Sequence, residues 1–357
     1  MSVEAASREE RILGIIETAR AKRAKFRDER VTTSHGAGGK ASQSLIEGLL
    51  APAFGLEELA DAGAVPGTEL RITTDSFVVK PIRFPGGSIG ELAVNGTVND
   101  LAVAGARPLA LTLSLVLEEG LPAAELRAEV EAAARAAEAA GVRVVAGDTK
   151  VVERGHADKM YVCTTGVGVA DRRAEPSTTA VRPGDRILVS GAIGEHGTAI
   201  MLARDGFDLT AEVESDTRPL WPAVDALLET AGDGVRCMRD ATRGGVASAL
   251  NEIARASQVA MLVSERDLPV PPAVAGAAEL LGIDPMYVAN EGKLVAFVAP
   301  ERADAALAAL REVTACEDAA AIGEVRAQPA GMVLVDTAFG GRRVMDLLAG
   351  DPLPRIC

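Results

Sequence analysis

Aromatic side chains are scarce in this chain, with one Trp, two Tyr and seven Phe among 357 residues. Stacking platforms for single-stranded nucleic acid are built from such rings. Positive charge is short as well: 37 Lys+Arg stand against 51 Asp+Glu, a formal charge of −14. Duplex nucleic acid and anionic membrane surfaces reward clustered cations, so neither is expected as a partner. No apolar run reaches ~18 residues, which argues against a membrane span. The N-terminal stretch SREERILGIIETARAKRAKFRDER is charged throughout and lacks the apolar core of a signal peptide, so residues 1–30 are expected to form an exposed helix or a mobile arm.

Other signatures are missing too. The four cysteines, Cys163, Cys237, Cys316 and Cys357, lie 74, 79 and 41 residues apart, a spacing of neither a disulfide framework nor a CxxC metal clip. A reducing cytoplasm is the expected location. Cys163 and Cys237 sit in strand-like YVCTT and VRCMRD and read as core thiols, while Cys316 reads equally as a chance surface residue. Only three histidines occur, and HExxH, GxGxxG and GxxxxGK[ST] are all absent, which removes the usual zinc hydrolases and the common nucleotide fingerprints.

What is present suffices for a proper core, with 48% apolar residues, and for about two domains. From Val31 onward β-like runs alternate with helical ones. LRITTDSFVV (70–79), PLALTLSLVLE (108–118), VRVVAGD (142–148) and KMYVCTTGVGVA (159–170) are strand-like. PAAELRAEVEAAARAAEAAG (122–141) is a helix that starts near Pro122 and stops at Gly141. The Pro-bearing stretch 171–185 reads as a linker. Beyond it, RILVSG, VRCMRD and KLVAFVAP are expected strands. HGTAIMLARDG, TRPLWPAVDALLETAG, GGVASALNEIARAS and ERADAALAALREV are expected helices, and residues 331–348 form a hairpin with a Gly-Gly turn. The result is α+β, divided into an arm (1–30), a first domain (31–175), a second (176–347) and an extended tail (348–357). Pro352 and Pro354 keep that tail out of a helix, and its ten positions can reach ~33 Å.

Chemistry is carried by polar groups in apolar settings. Asp75, Asp148 and Asp240 follow strands, and Asp100 lies in LAVNGTVNDLAVAGA, where Asn95, Asn99 and Asp100 need partners if buried. Singly, each aspartate suits a cap or a turn; together they suit Mg²⁺ beside phosphates. Glycine turns precede helices at 36–39, 191–197 and 244–245, a geometry that offers bare N–H groups to phosphate, with Arg243 and Lys40 as added charge. Lys150, beside Asp148, is either half of a structural ion pair or a group acting on phosphate; Glu291 is either a turn residue or a proton shuttle. His35 is expected to face the site because its loop does, and His156 and His196 are expected to be structural or solvent-facing. Cys357 is either an ordinary exposed cysteine or a carrier thiol on a mobile arm; Arg355 would favour its thiolate, whereas the α-carboxylate beside the sulfur would oppose it.

The tail PRIC, with SHGAGGK, TTDSFVVKPIRFPGGSIGELAVNGTVNDLAVAGA, LEEGLP, AGDTKVVERG, RDATRGGVASALNEIA and NEGKLV, resembles the HypE family of hydrogenase maturation factors. These carbamoyl dehydratases belong to the ATP-binding group of aminoimidazole ribonucleotide synthetase and selenophosphate synthetase. The likeness runs from about Val31 to Cys357. It implies a two-domain synthetase-like α+β fold in which the N-terminal mixed sheet pairs with its copy into a barrel that holds ATP, with a C-terminal α+β sandwich against it. It implies Asp75, Asp100, Asp148 and Asp240 as the Mg²⁺–ATP carboxylates. Gly36, Gly38, Gly39, Asn99, Thr149, Thr242, Arg243, Gly244 and Gly245 would contact ATP and phosphate, Cys357 would be the carrier thiol, and Lys150 with Glu291 the proton-removing pair. The implied partners are a second copy of the chain, a HypF-like carbamoyltransferase and a HypC–HypD-like iron-carrying complex. The implied reaction converts a thiocarbamate on Cys357 to a thiocyanate. A small-molecule kinase or synthetase of the same group, or a nucleotide-binding scaffold, are the competing readings.

Overall fold

A computed structural model describes residues 25–56, 59–204, 212–348 and 355–357. Most of the expected arm, tail residues 349–354 and the end of the helix expected over 196–206 lie outside the described residues. The chain enters along α1 (Lys40–Leu45). It then forms β1 (Gly63–Ala64), β2 (Leu70–Phe77), the small hairpin β3 (Arg83–Phe84) and β4 (Gly87–Ser88), β5 (Ala106–Glu118), β6 (Arg143–Val152) and β7 (Met160–Ala170). The first sheet has the order β1-β2-β7-β5-β6. All its pairs are antiparallel except β5 and β6, whose parallel pairing requires the crossover helix α3 (Ala123–Ala139).

On β7, Met160, Val162 and Thr164 are buried in alternation with less buried neighbours, the period-2 pattern of a strand with one covered face. The cover is α2 (Ile89–Val103), nearly all of whose residues are buried. A Cβ at Gly166 would come within 2.8 Å of Thr97 Cγ2, so glycine there lets α2 lie close on β7. The far edge of the sheet is bare: Arg143 through Val151 of β6 are all exposed, including Val144, Val145 and Val151.

The second sheet combines β8 (Arg186–Val189), β9 (Val235–Asp240), β10 (Ala260–Ser264), β11 (Leu294–Val298), β12 (Ala320–Arg326), β13 (Met332–Asp336) and β14 (Arg342–Met345), ordered β14-β13-β10-β12-β8-β11-β9. Both faces are covered, which explains the unbroken apolar run LVAFV in β11. Val295 and Phe297 pack with Val246, Leu250 and Ile253 of α6 (Gly245–Ala256). Leu294, Ala296 and Val298 pack with Leu227 and Leu228 of α5 (Trp221–Ala231) and Leu310 of α8 (Pro300–Arg311). Burying a side chain the size of Phe297 contributes about 1.5–3 kcal/mol. Two further helices, α4 (Glu195–Leu202) and α7 (Pro272–Leu281), pack against each other, and His196 of α4 meets Phe84 of the first domain's hairpin. α2 also packs on β9 and α5, so one helix is shared by both domains.

The α+β class and the two-domain synthetase-like architecture hold, and β13–β14 is the expected hairpin. The sequence reading passes over β10, α7 and β12. In β12 the cause is visible: Gly323 interrupts the strand, and a register shift lies between Ala321 and Gly323, the weak propensity and irregular pairing of a bulge. Cys237 is buried as expected, Cys163 is only half-buried, and Cys316 is buried rather than a surface residue.

Candidate active site

Four acidic side chains meet where the domains join. β2 delivers Asp75, the polar end of α2 delivers Asp100, the last residue of β9 is Asp240, and the coil before β1 supplies Asp61. Ligand oxygens of Asp61, Asp100 and Asp240 all lie within 4.8 Å of one another. Burial, reinforced by the charges of Asp240, Asp75 and Asp61, pushes the Asp100 carboxyl well above its usual range, although Thr73 Oγ1 donates to it at 2.8 Å. Burial and the Asp61 charge push Asp240 up to about 8, against the pull of Arg239. Arg239 partly offsets the crowding, with Nε 3.0 Å from Asp61 and Nη2 3.0 Å from Glu252. Hard oxygen donors that repel one another this strongly suit a small divalent cation.

The glycine turns close one side of this cluster. Gly38 has φ 76°, and a Cβ there would come 2.8 Å from the Arg243 carbonyl oxygen; glycine satisfies both the left-handed backbone and the close approach. Arg243 Nη1 donates to the Gly36 carbonyl at 2.7 Å, and Ser248 Oγ to the Gly38 carbonyl at 3.2 Å. Gly36, Gly38 and Gly39 are thereby brought against Thr242, Arg243, Gly244 and Gly245 at the start of α6. Lys40 is not part of this arrangement, because its ammonium pairs with Asp346 at 2.8 Å.

The tail ends inside the same region. Ile356 and Cys357 are buried. Val78 N–H donates to the Cys357 carbonyl and Lys80 N–H to the Arg355 carbonyl, each at 3.1 Å, so residues 355–357 lie along 78–80 as a strand would. Arg355 Nη1 pairs with Asp158 at 2.8 Å and its Nε donates to Val78 O at 3.1 Å. Arg355 therefore anchors the tail rather than activating the sulfur. The guanidinium beside Cys357 is that of Arg243, whose pKa is raised first by Cys357 and then by Asp75 and Glu291. Burial nevertheless pushes the Cys357 thiol up to about 12, so the docked sulfur is a neutral thiol, and burial rather than Arg355 decides its state.

Glu291 completes the group. Burial, with the charges of Asp240, Asp216 and Asp75, pushes its carboxyl well above the usual range. Among the described residues its Oε1 has no hydrogen-bond partner. Its backbone, by contrast, is fixed. Asp216 Oδ1 accepts from Glu291 N–H at 3.0 Å and Oδ2 from Gly292 N–H at 3.1 Å, while the buried Lys293 ammonium lies 3.1 Å from Asp216 and 3.0 Å from Glu195. Asn99 Nδ2 donates to the carbonyls of Glu291 (3.1 Å) and Arg218 (2.9 Å), and its Oδ1 accepts from Leu220 N–H at 2.7 Å. Asn99 is thus a clamp between α2 and the Glu291 loop.

Residues 59–170 match the N-terminal domain model of AIR synthase related proteins, and residues 182–336 match the C-terminal domain model. The chain is 50% identical to the carbamoyl dehydratase HypE of Rhodobacter capsulatus over 339 residues, covering 93% of this chain and 99% of that protein. The chain belongs to the HypE family. A solved HypE–HypF complex contains a chain of TM-score 0.82 and 42% identity, covering 85% of this chain and 100% of that one. A HypE structure in complex with ATP gives a TM-score of 0.78 at 45% identity, with 92% and 100% covered.

Within this HypE-family chain the expected residues divide in two. Asp75, Asp100, Asp240, Asn99, Thr242, Arg243, Glu291, Cys357 and the 36–39 and 244–245 turns come together. Asp148, Thr149 and Lys150 do not: they lie on exposed β6, where Lys150 Nζ contacts both Asp148 carboxylate oxygens at 2.8 and 2.6 Å. Asp61, Asp216 and Lys293 carry no assignment from the sequence. Asp61 sits in a coil with no periodic signal, and Asp216 in a loop; only Lys293, at the mouth of an apolar strand, carried a sequence clue. His35 turns into its own loop, with Nδ1 3.0 Å from Thr32 N and Nε2 3.2 Å from Asp28. His156 is exposed as expected. His196 is completely buried and meets the tail.

Proposed function

We propose that this chain performs ATP-dependent dehydration of a thiocarbamate carried on Cys357. The observation that carries this reading is the seat of the Cys357 sulfur, beside Arg243 and Glu291 and next to the Asp61–Asp75–Asp100–Asp240 cluster. A carbamoyl group on that sulfur would place its oxygen and nitrogen among a fixed cation, a high-pKa carboxyl and a cluster suited to Mg²⁺–ATP. The carbamoyl oxygen is a poor leaving group. Transfer of the γ-phosphoryl of ATP onto it releases ADP; the C–O bond then breaks with departure of phosphate as the nitrogen gives up its protons, leaving S–C≡N. Glu291, poised by burial to take a proton, is the base. Arg243 faces the developing negative charge, and the N–H groups at the 36–39 and 244–245 turns face the phosphates. Mg²⁺, held by Asp61, Asp100 and Asp240 with Asp75 beside them, would neutralise phosphate charge. The closed seat keeps water from the thiocarbamate.

Loading must happen elsewhere, because a docked thiol pushed up to about 12 is a poor nucleophile at neutral pH. A HypF-like carbamoyltransferase is the proposed loader, in keeping with the solved HypE–HypF complex of relatives. A HypC–HypD-like complex is the proposed acceptor of cyanide for hydrogenase iron, and the cytoplasm the proposed location. The bare β6 edge supports a homodimer in which two such sheets pair. Asp148, Thr149 and Lys150 would then line the shared barrel, and their nucleotide and proton-transfer roles belong to that assembly. The domain limits 31–175 and 176–347 are proposed on the two sheets and the strand-free stretch 171–185.

Intact-mass measurement after incubation with carbamoyl phosphate and the carbamoyltransferase tests the reaction. Cys357 should gain a carbamoyl group without ATP hydrolysis by this chain, then lose one water when ATP is supplied. Loading without any ATP-dependent loss of water would refute the dehydratase reading.

A further inference from the structure

His196 lies at the start of α4, in the 191–197 glycine turn, and has no role in the proposed reaction, yet it is completely buried and both ring nitrogens are engaged at short range. Nε2 lies 2.7 Å from the carbonyl oxygen of Ile356, the residue before the carrier cysteine, and Nδ1 lies 2.7 Å from Ser215 Oγ. A carbonyl oxygen only accepts, so the proton sits on Nε2. Nδ1 of the neutral ring is then the acceptor, and Ser215 Oγ–H donates to it. Ser215 Oγ in turn accepts from Thr217 N–H at 3.2 Å. The chain of donors runs in one direction, from the 215–217 backbone through Ser215 and His196 to the tail. Phe84 walls the ring edge-on at 5.5 Å.

The tail carbonyls are otherwise met by backbone or by a surface-reaching side chain. Cys357 O accepts from Val78 N–H, and Arg355 O from Lys80 N–H and Arg204 Nη2. Only His196 reaches the Ile356 carbonyl among the described residues. The next residue after Ser215 is Asp216, whose carboxylate fixes the backbone of Glu291 and Gly292. Adjacent residues therefore hold the seat of the sulfur and the seat of the base.

We infer that His196, oriented by Ser215, is a positioning residue that latches the docked tail and sets the Cys357 sulfur against Glu291 and Arg243. The inference deepens the dehydratase reading and rests on it for its catalytic consequence, though not for the latch itself. Without the ring the Ile356 carbonyl is left buried and unpaired, and loss of one such hydrogen bond should shift the docked–undocked balance by roughly tenfold. An undocked tail exposes its thiol, so the alkylation rate of Cys357 reports that balance.

The experiment uses the full chain. Iodoacetamide labelling is followed by peptide mass spectrometry, with buried Cys237 and Cys316 as internal references. His196→Phe should raise Cys357 labelling roughly tenfold and leave Cys237 and Cys316 unchanged. His196→Gln, which keeps an N–H donor, should fall between it and the parent. Ser215→Ala should raise labelling by a smaller factor. In the same variants, ATP-driven loss of water from the preloaded tail should slow in the order of the labelling, whereas carbamoyl loading, which needs the tail out, should not slow. Unchanged Cys357 labelling in His196→Phe overturns the latch. So does a rise shared by all three thiols together with a protected Cys357 in Ser215→Ala, which would be loss of the fold. If Cys357 labelling rises as expected but even the parent chain never loses water, the latch stands and the dehydratase reading fails.

Discussion

Glu291, the proposed base, combines a fixed backbone with a buried carboxyl. Its backbone is held by Asp216 and Asn99 while, among the described residues, its Oε1 has no hydrogen-bond partner in a negatively charged, buried setting. Such a group binds a proton tightly and is a strong base when it has lost one. Glu291→Gln keeps the shape and removes that capacity. Carbamoyl loading of Cys357 should persist, and ATP-dependent loss of water followed by single-turnover mass spectrometry should fall roughly a hundredfold; an unchanged rate would assign the proton transfer to another group. Glu291 was legible in NEGKLV because a charged residue at the mouth of an apolar strand needs a reason to be there. Asp216 was not, because its partners, the Glu291 and Gly292 N–H groups and the Lys293 ammonium, all lie 75 or more residues away.

The carboxylate cluster also makes a pH prediction. In the unfolded chain Asp240 titrates near 3.8, whereas in the fold it keeps its proton up to about 8. Its stabilising contribution is therefore complete below the unfolded value and is lost as pH rises through about 8. A divalent cation replaces that proton most effectively where it has already been lost. Mg²⁺ should raise Tm by ~3 °C more near pH 8.5 than near pH 6 in scanning fluorimetry. Equal shifts at both pH values would argue against a cation at Asp240.

At the scale of elements, β6 and β12 are opposite cases. β12 escaped the sequence reading because Gly323 and its register shift weaken the strand signal, yet it pairs on both sides in the interior of its sheet. β6 was recognised through VRVVAGD but its role was not. Its length reaches Val152, and its exposed valines mark an edge without a strand neighbour among the described residues. In a two-fold dimer each β6 would meet the other copy, so a charge placed there meets itself. Val145→Glu with Val151→Glu should weaken self-association by several kcal/mol, turning dimer into monomer in sedimentation velocity with the circular dichroism preserved. An unchanged sedimentation coefficient would reject pairing through this edge.

Taken whole, the molecule is two α+β units sharing α2, with the acids, the glycine turns and the tail converging at the shared helix. Most strands and helices and the Asp75–Asp100–Asp240 set, though not β10, β12 or α7, could be read from local pattern, since strand ends and polar residues in apolar helices are local facts. The tail seat could not. It draws on 78–80, Asp158, His196, Arg204 and Arg243, segments that no periodicity links. Although the chain carries a net charge of −14, the Lys293 ammonium is buried and paired with Asp216 and Glu195.

The central claim is that the carbon bound to the Cys357 sulfur changes from a carbamoyl to a nitrile at the expense of ATP. It is tested most directly by loading Cys357 from isotopically labelled carbamoyl phosphate, adding Mg²⁺–ATP, and following that carbon by NMR and infrared spectroscopy. The account predicts that the carbamoyl carbon signal on Cys357 gives way to a thiocyanate signal with a nitrile stretch, in proportion to the phosphate released. Phosphate release with the labelled carbon still a carbamoyl, or free as carbamate, would contradict it.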